Sequence, residues 1–106
     1  MQQLEVYNPA TNEVVERLDY TTHEEIDTQI NRAHQAFQEW KVVDAHERAG
    51  KLNQWATLID EHQAELARLI TLEGGKPLAE AQGEVAYANS YVKWYAEEAK
   101  RVYGRT

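Results

Sequence analysis

The sequence contains no cysteine among its 106 residues. Without a thiol, the chain cannot by itself form a disulfide, hold a metal through thiolate ligands or use a cysteine as a nucleophile. The lack of a disulfide framework is typical of proteins in reducing compartments, and it predicts a cytoplasmic location. Any chemistry that needs a thiolate must come from outside these residues.

Basic residues are also scarce. The chain has 11 Lys and Arg against 18 Asp and Glu, which gives a formal net charge of −7 and a pI near 5.0. Nucleic acids and anionic membranes are bound through clustered positive charge, so we predict neither as a partner. No apolar run approaches the roughly 20 residues of a membrane span. The first residues, M-Q-Q-L-E-V, lack the basic and apolar regions of a secretory signal.

The residues that are present fit one small domain, 1–106. Apolar residues make up 42% of the chain and charged residues 27%, as in an ordinary soluble protein. We predict a mainly α fold, with a β-hairpin in 1–20 followed by three to four packed helices in 21–106. The hairpin is indicated by alternation around Leu4 and Val6, a break N-P-A-T-N-E, and a second apolar run at 14–18. Asn12 is the turn residue that best tolerates a positive φ.

Capping patterns place the starts of two helices. Thr22 and Glu25 form a capping box before an apolar stripe that ends at Trp40, and Thr21 with Glu24 offers the same pattern one residue earlier. Asp44 repeats the capping logic for a second helix. From Asp44 to the glycines after Glu73 a straight helix would span about 45 Å, so we predict a break at 60–63.

A third boundary lies at G-G-K-P, residues 74–77. Gly74 and Gly75 supply the left-handed conformation of a helix end, and Pro77 suits the first turn of a new helix. Lys100, Arg101 and Arg105 complement the negative pole of that helix. Its predicted buried stripe is Ala81, Val85, Ala88, Val92, Tyr95, Ala99 and Val102.

A second stripe on this last helix is aromatic and consists of Tyr87, Tyr91 and Trp94. Two interpretations stay open for it: packing in a core, or the wall of an interface or pocket. With an apolar stripe beside it, we predict that the helix is covered by protein on two sides.

Other motifs are incomplete. G-G-K lacks the spacing and the Ser or Thr of a phosphate loop, and no G-x-G-x-x-G occurs, so no nucleotide-binding loop is predicted. His46-Glu47 lacks the second histidine of H-E-x-x-H, because Gly50 holds that position, and the other histidines are scattered. We predict no metal site and no catalytic residue within this chain.

Five stretches resemble motifs of one enzyme family, in the family's order. They are N-P-A-T-N-E at 8–13, A-F-x-x-W at 36–40, E-R-A-x-x-L at 47–52, L-I-T-L-E-G-G-K-P-L-A-E-A-Q-G-E at 69–84, and V-x-Y-A with W-x-A-E-E and R-x-Y-G within 85–104. The chain thus resembles the N-terminal part of the NAD(P)-dependent aldehyde dehydrogenases, and is most similar to the succinate-semialdehyde dehydrogenase branch. Asn12 stands where the family usually has a turn glycine.

The resemblance implies a structural segment of a larger enzyme. In the family, a cysteine thiolate attacks the aldehyde, hydride passes to NAD or NADP, and a glutamate activates water. None of these groups matches a position here, so the chain alone is expected to bind no cofactor and to be inactive. Its helices are expected to flank the cofactor domain of the parent enzyme, with Gly83 and Tyr87 lining the substrate tunnel.

Two kinds of partner follow. The resemblance implies that one partner is the remainder of the parent enzyme. Without that remainder to cover the helices, the chain is predicted to form a homo-oligomer through Tyr87, Tyr91 and Trp94. The alternative is a free-standing helical interaction module that binds a partner helix through the same aromatic stripe.

Overall fold

The computed structural model describes residues 2–105 and contains a β-hairpin followed by helices. The elements are β1 (Gln3–Tyr7), β2 (Val14–Asp19), α1 (His23–Trp40), α2 (Ala45–Glu61), α3 (Gln63–Gly74), α4 (Leu78–Glu98) and a short 3₁₀ turn, Ala99–Arg101. The predicted fold class, mainly α with an N-terminal hairpin, is confirmed.

The hairpin is antiparallel and pairs Leu4 with Leu18, with an irregularity between Val6 and Tyr7. Its turn is closed by the backbone N–H of Asn12, which donates to the carbonyl of Asn8 at 2.7 Å. Asn12 has a φ of 61°, which confirms the prediction that this residue takes the left-handed conformation.

The helix boundaries follow the predicted caps. Thr22 Oγ1 accepts from the N–H of Glu25 at 3.1 Å, while the Glu25 carboxylate accepts from the N–H of Thr22 at 2.9 Å. Asp44 accepts from the N–H of Glu47 at 2.9 Å. The break between α2 and α3 falls at His62, inside the predicted range, and Gly75 ends α3 with a φ of 79°.

Two predictions about the ends of α4 are wrong. Pro77 is the residue before the helix, with a ψ of 142°, rather than part of its first turn. The helix stops at Glu98, so Val102 lies in extended backbone and is 85% exposed, and Arg105 lies outside any helix.

The helices α2, α3 and α4 pack together through small side chains. Their fully buried apolar residues are Ala49, Ala56, Ala67, Ala81, Val85 and Ala96. Alanine at a helix contact lets the backbones approach closely but buries little apolar area. The predicted stripe of α4 is partly wrong, because Ala88 and Tyr95 are exposed whereas Asn89 and Ala96 are buried.

The first helix does not share this core. No residue of α1 is buried, and its stripe residues Ile30 and Phe37 are 61% and 54% exposed. The Cα radius of gyration is 18.3 Å, against about 13 Å for a compact domain of this length. The described chain is therefore an open arrangement that leaves large apolar faces uncovered.

Because α1 has so little tertiary support, its cap should carry much of its stability. We expect Thr22→Ala to lower the stability of α1 by about 1 kcal/mol, since the capping hydrogen bond to Glu25 is lost. Amide hydrogen exchange within residues 23–40 measures the change. Thr21→Ala is the matched control and should leave protection unchanged; equal losses in both variants would contradict the assigned cap.

Candidate functional site

The aromatic face of α4, defined as Tyr87, Tyr91 and Trp94, lies open. These side chains are 64%, 52% and 65% exposed. They share a face because residues three and four apart on a helix are neighbours. Core packing, one of the two interpretations of this stripe, is wrong for this chain, and α4 is not covered on two sides by the described residues.

The two tyrosines form a fixed pair. Their ring centroids lie 5.2 Å apart with the rings nearly perpendicular, at 85°. The hydroxyl oxygens are 2.8 Å apart, so one hydroxyl donates to the other. Edge-to-face packing of this kind is favourable beyond the apolar area it covers. The pair therefore gives the open face a defined shape.

The pair also has a defined chemistry. The hydrogen bond with Tyr87 raises the pKa of Tyr91 above its ordinary value, and desolvation and the nearby Tyr95 act in the same direction. The hydroxyl that accepts within the pair keeps its own hydrogen for another partner. The face can thus offer aromatic rings and one O–H donor.

A shallow depression of about 330 Å³ lies on this face, where Ser90 and Tyr95 join the three aromatic residues. Gly83 is one helical turn before Tyr87 and is also exposed. A Cβ added at Gly83 would meet no atom within 4 Å, so the helix surface there is bare. The structure brings Gly83 and Tyr87 onto one open face; their role in lining a tunnel stays a prediction.

A polar cluster, not predicted from the sequence, lies between α2 and α4, and only its member Asn89 is buried. Asn89 is 1% exposed, and its Nδ2 donates at 2.9 Å to the carbonyl of Ala56 and at 2.9 Å to Oδ1 of Asp60. Lys93 Nζ lies 2.9 Å from the other Asp60 oxygen. The signal available in the sequence was spacing, because Asn89 continues the i, i+4 series of Ala81 and Val85.

Asp60 is expected to make a small part of the stability depend on pH, because its carboxylate is half exposed and its interactions are screened by solvent. The hydrogen bond from Lys93, and then that from Asn89, lowers the pKa of Asp60 below its ordinary value. The folded state therefore favours the carboxylate, and its contribution is present above the unfolded pKa and lost as the pH falls through the lowered folded pKa. When Tm is plotted against pH, the fall of Tm at acid pH should be less steep in Asp60→Asn than in the unmodified chain.

The comparison for this prediction is Asp27→Asn, a change of an exposed carboxylate on α1. Thermal melts followed by circular dichroism, in steps from neutral pH to below the ordinary pKa of Asp, measure both variants. An acid limb of unchanged steepness in Asp60→Asn would contradict the role given to the cluster.

The G-G-K segment is a turn between helices, as predicted. Gly75 has the left-handed φ, and Lys76 forms an ion pair with Glu84 on α4. The lysine is thus engaged within the chain, and a helix rather than a strand precedes it. Among residues 2–105, no three His, Asp or Glu side chains gather in a way that could hold a metal ion.

In the described residues, no helix combines the length and the hydropathy required to cross a membrane.

The model of the aldehyde dehydrogenase family matches residues 1–106, the whole chain. Glutarate-semialdehyde dehydrogenase of Pseudomonas putida is 49% identical over 105 residues, which are 99% of this chain and 22% of that protein. The succinate-semialdehyde dehydrogenase of Escherichia coli, named with NADP(+), is 46% identical over 97% of this chain and 21% of its own length.

A solved structure gives the same result. The crystal structure of succinate-semialdehyde dehydrogenase from Burkholderia pseudomallei superposes with a TM-score of 0.92 and 42% identity, over 99% of this chain and 22% of that one. The chain thus spans about a fifth of the length of these relatives, and it corresponds to their N-terminal segment. The match along all of its residues, in sequence and in fold, shows that this chain belongs to the aldehyde dehydrogenase family.

Proposed function

We propose that this chain is the N-terminal structural segment of an aldehyde dehydrogenase that oxidises succinate semialdehyde, or a related small aldehyde such as glutarate semialdehyde, with NAD or NADP. The observation that carries the proposal is the identity of 46–49% to two semialdehyde dehydrogenases along nearly the whole chain. The segment holds no cysteine, so it cannot contribute the thiolate. Its part is to shape and support the enzyme.

The open faces of the segment support this role. The apolar stripe of α1 and the aromatic face of α4 are exposed, and both suit burial against protein. About four fifths of the relative's sequence lies outside the matched part, and that sequence can cover these faces. We assign the segment a place beside the cofactor domain, and a cytoplasmic location stays a prediction.

Gly83 and Tyr87 are proposed to line the route by which the aldehyde enters. The bare helix surface at Gly83 leaves room, while Tyr87 and Tyr91 offer ring faces and one free O–H donor. A semialdehyde that carries a carboxylate has both an apolar chain and oxygen acceptors, and these two features of the face match it.

A chimeric enzyme tests the function. The corresponding segment of the E. coli succinate-semialdehyde dehydrogenase is replaced with residues 1–106, and oxidation of succinate and glutarate semialdehydes is followed with NAD and NADP. We expect the chimera to be active, whereas the 106-residue chain alone and the enzyme without its segment are inactive. A folded chimera with no activity would overturn the proposal.

The same chimera tests the tunnel. Tyr87→Ala should raise KM for the semialdehydes more than it lowers kcat, because Tyr87 is placed on the entry route and not at the reacting atoms. Tyr20→Ala, which removes another exposed tyrosine outside α4, is the control. An unchanged KM in Tyr87→Ala would contradict the assignment of this residue to the tunnel.

The alternative function is a free-standing helical module that binds a partner through the aromatic face. An inactive but folded chimera would favour it. The family match over the whole chain supports the enzyme segment instead.

By itself the chain is expected to form homo-oligomers through the aromatic face. Trp94→Lys should shift light scattering toward the monomer, because a charge on this face opposes its burial. Tyr20→Lys, which alters an exposed tyrosine elsewhere, should leave the mass unchanged. A monomer for the unmodified chain at high micromolar concentration would contradict the expectation.

A further inference from the structure

The orientation of α1 needs an explanation, because no side chain of this helix is buried. Nevertheless, the whole described chain superposes on the Burkholderia pseudomallei enzyme with a TM-score of 0.92 over 99% of its length. The 18 residues of α1 are too large a share for that score if the helix pointed elsewhere. Something therefore sets the direction of α1 without a packed core.

Arg48, in the first turns of α2, contacts the end of α1. Its Nη2 donates to the carbonyl of Trp40 at 2.9 Å and to the carbonyl of Val43 at 3.3 Å. Its guanidinium carbon lies 5.3 Å from the centroid of the Trp40 ring. One planar cation thus holds the last residue of α1 by both its backbone and its side chain.

The contact satisfies a need at the helix end. The last carbonyls of a helix have no partner within it and carry partial negative charge. The last turn of α1 contains no basic residue of its own. Lys41, the residue that caps α1, places its Nζ 5.7 Å from the centroid of the Phe37 ring. Arg48 adds a second cation from α2, where the neighbouring Ala49 is 1% exposed.

The position of the guanidinium is restricted by its surroundings. Arg48 is only partly exposed, and its contacts at the end of α1 are the two carbonyls and the Trp40 ring.

We propose that Arg48 is a latch that fixes α1 at its angle to α2 and so keeps open the groove between the two helices. The groove has a volume of about 490 Å³ and is lined by Phe37, Trp40 and Val43 together with residues of α2. The inference concerns this chain alone and stands apart from the enzyme function proposed above.

A rival explanation is the connection itself. Only residues 41–44 join the helices, and the N–H of Val43 donates to the carbonyl of Trp40 at 3.1 Å. If this tight turn sets the angle, removal of the guanidinium should change nothing. If Arg48 sets it, the turn alone should allow α1 to swing.

The lack of native cysteines allows a direct test with spin labels. One pair, Gln29→Cys with Gln54→Cys, spans α1 and α2, and a reference pair, Gln54→Cys with Gln82→Cys, spans α2 and α4; all three sites are exposed. Pulsed dipolar spectroscopy gives the distance distribution of each pair. We expect Arg48→Met to broaden the α1–α2 distribution at least about twofold and to leave the reference pair unchanged.

The matched control is Arg68→Met, which removes an exposed arginine from α3 and should leave both distributions narrow. If both pairs broaden in Arg48→Met, Arg48→Lys decides, since lysine keeps charge and stem but lacks the planar fork. A broadened α1–α2 pair with a narrow reference pair in Arg48→Lys supports the latch. Two narrow pairs, or two broad ones, overturn it.

Discussion

Asn89→Ala is expected to lower the free energy of unfolding by about 2–3 kcal/mol. The side chain is 1% exposed and joins α4 to α2 through the carbonyl of Ala56 and the carboxylate of Asp60. Alanine removes both hydrogen bonds and leaves a cavity between the helices. A loss of this size is a large fraction of the stability of a domain of about 100 residues.

Chemical denaturation followed by circular dichroism measures this loss, with Asn53→Ala as the matched control. Asn53 is exposed on α2, and alanine there also gains helix propensity, so the control should change stability by no more than about 0.5 kcal/mol. If the two variants unfolded at the same denaturant concentration, Asn89 would not be the polar link between the helices.

Gly75→Ala is expected to destabilise the chain by about 2–3 kcal/mol and to loosen the hairpin from the helices. Two physical causes act at this position. Its φ of 79° is strained for any residue with a Cβ, and an added Cβ would lie 2.8 Å from Cγ of Pro9. Pro9 lies in the turn of the hairpin and packs against Gly75 in the turn between α3 and α4. The added Cβ would therefore strain a contact between the hairpin and the helices.

The neighbouring glycine provides the control. Gly74 lies within the last turn of α3, and a Cβ there would meet no atom within 4 Å, so Gly74→Ala should be neutral or slightly stabilising. The double variant Gly75→Ala with Pro9→Ala separates the two causes, because it relieves the contact and keeps the strain in φ. If the double variant is no more stable than Gly75→Ala alone, the contact with Pro9 does not contribute to the loss of stability.

Local rules predicted the starts of α1 and α2 and the end of α3. The caps at Thr22 and Asp44 and the left-handed residues Asn12 and Gly75 follow from hydrogen bonding and φ preferences within a few residues. Such signals do not depend on what the rest of the molecule does. They are therefore readable from the sequence even in a segment of a larger protein.

Burial was predicted less well, because it depends on partners far away in the chain. An apolar stripe on α1 indicated a packed face, yet no other described element covers it. On α4 the hydrophobic pattern favoured Ala88 and Tyr95, whereas the structure buries Asn89, whose amide finds acceptors on α2. Hydrophobicity could not identify a buried amide that is selected by its hydrogen bonds.

The aromatic face of α4 was the one candidate site for which the sequence left two interpretations. Tyr87, Tyr91 and Trp94 were recognisable as a stripe, and the structure adds the hydroxyl pair and the open surface. The distance between two hydroxyls depends on side-chain rotamers, which a sequence pattern does not specify.

The open apolar faces have a consequence for synthesis. In proteins of the relatives' length this segment leaves the ribosome first, and at ordinary elongation rates about tens of seconds pass before the last residues follow. During that interval the stripe of α1 and the aromatic residues of α4 face water and other nascent chains. The net charge of −7 favours solubility while these apolar faces are exposed.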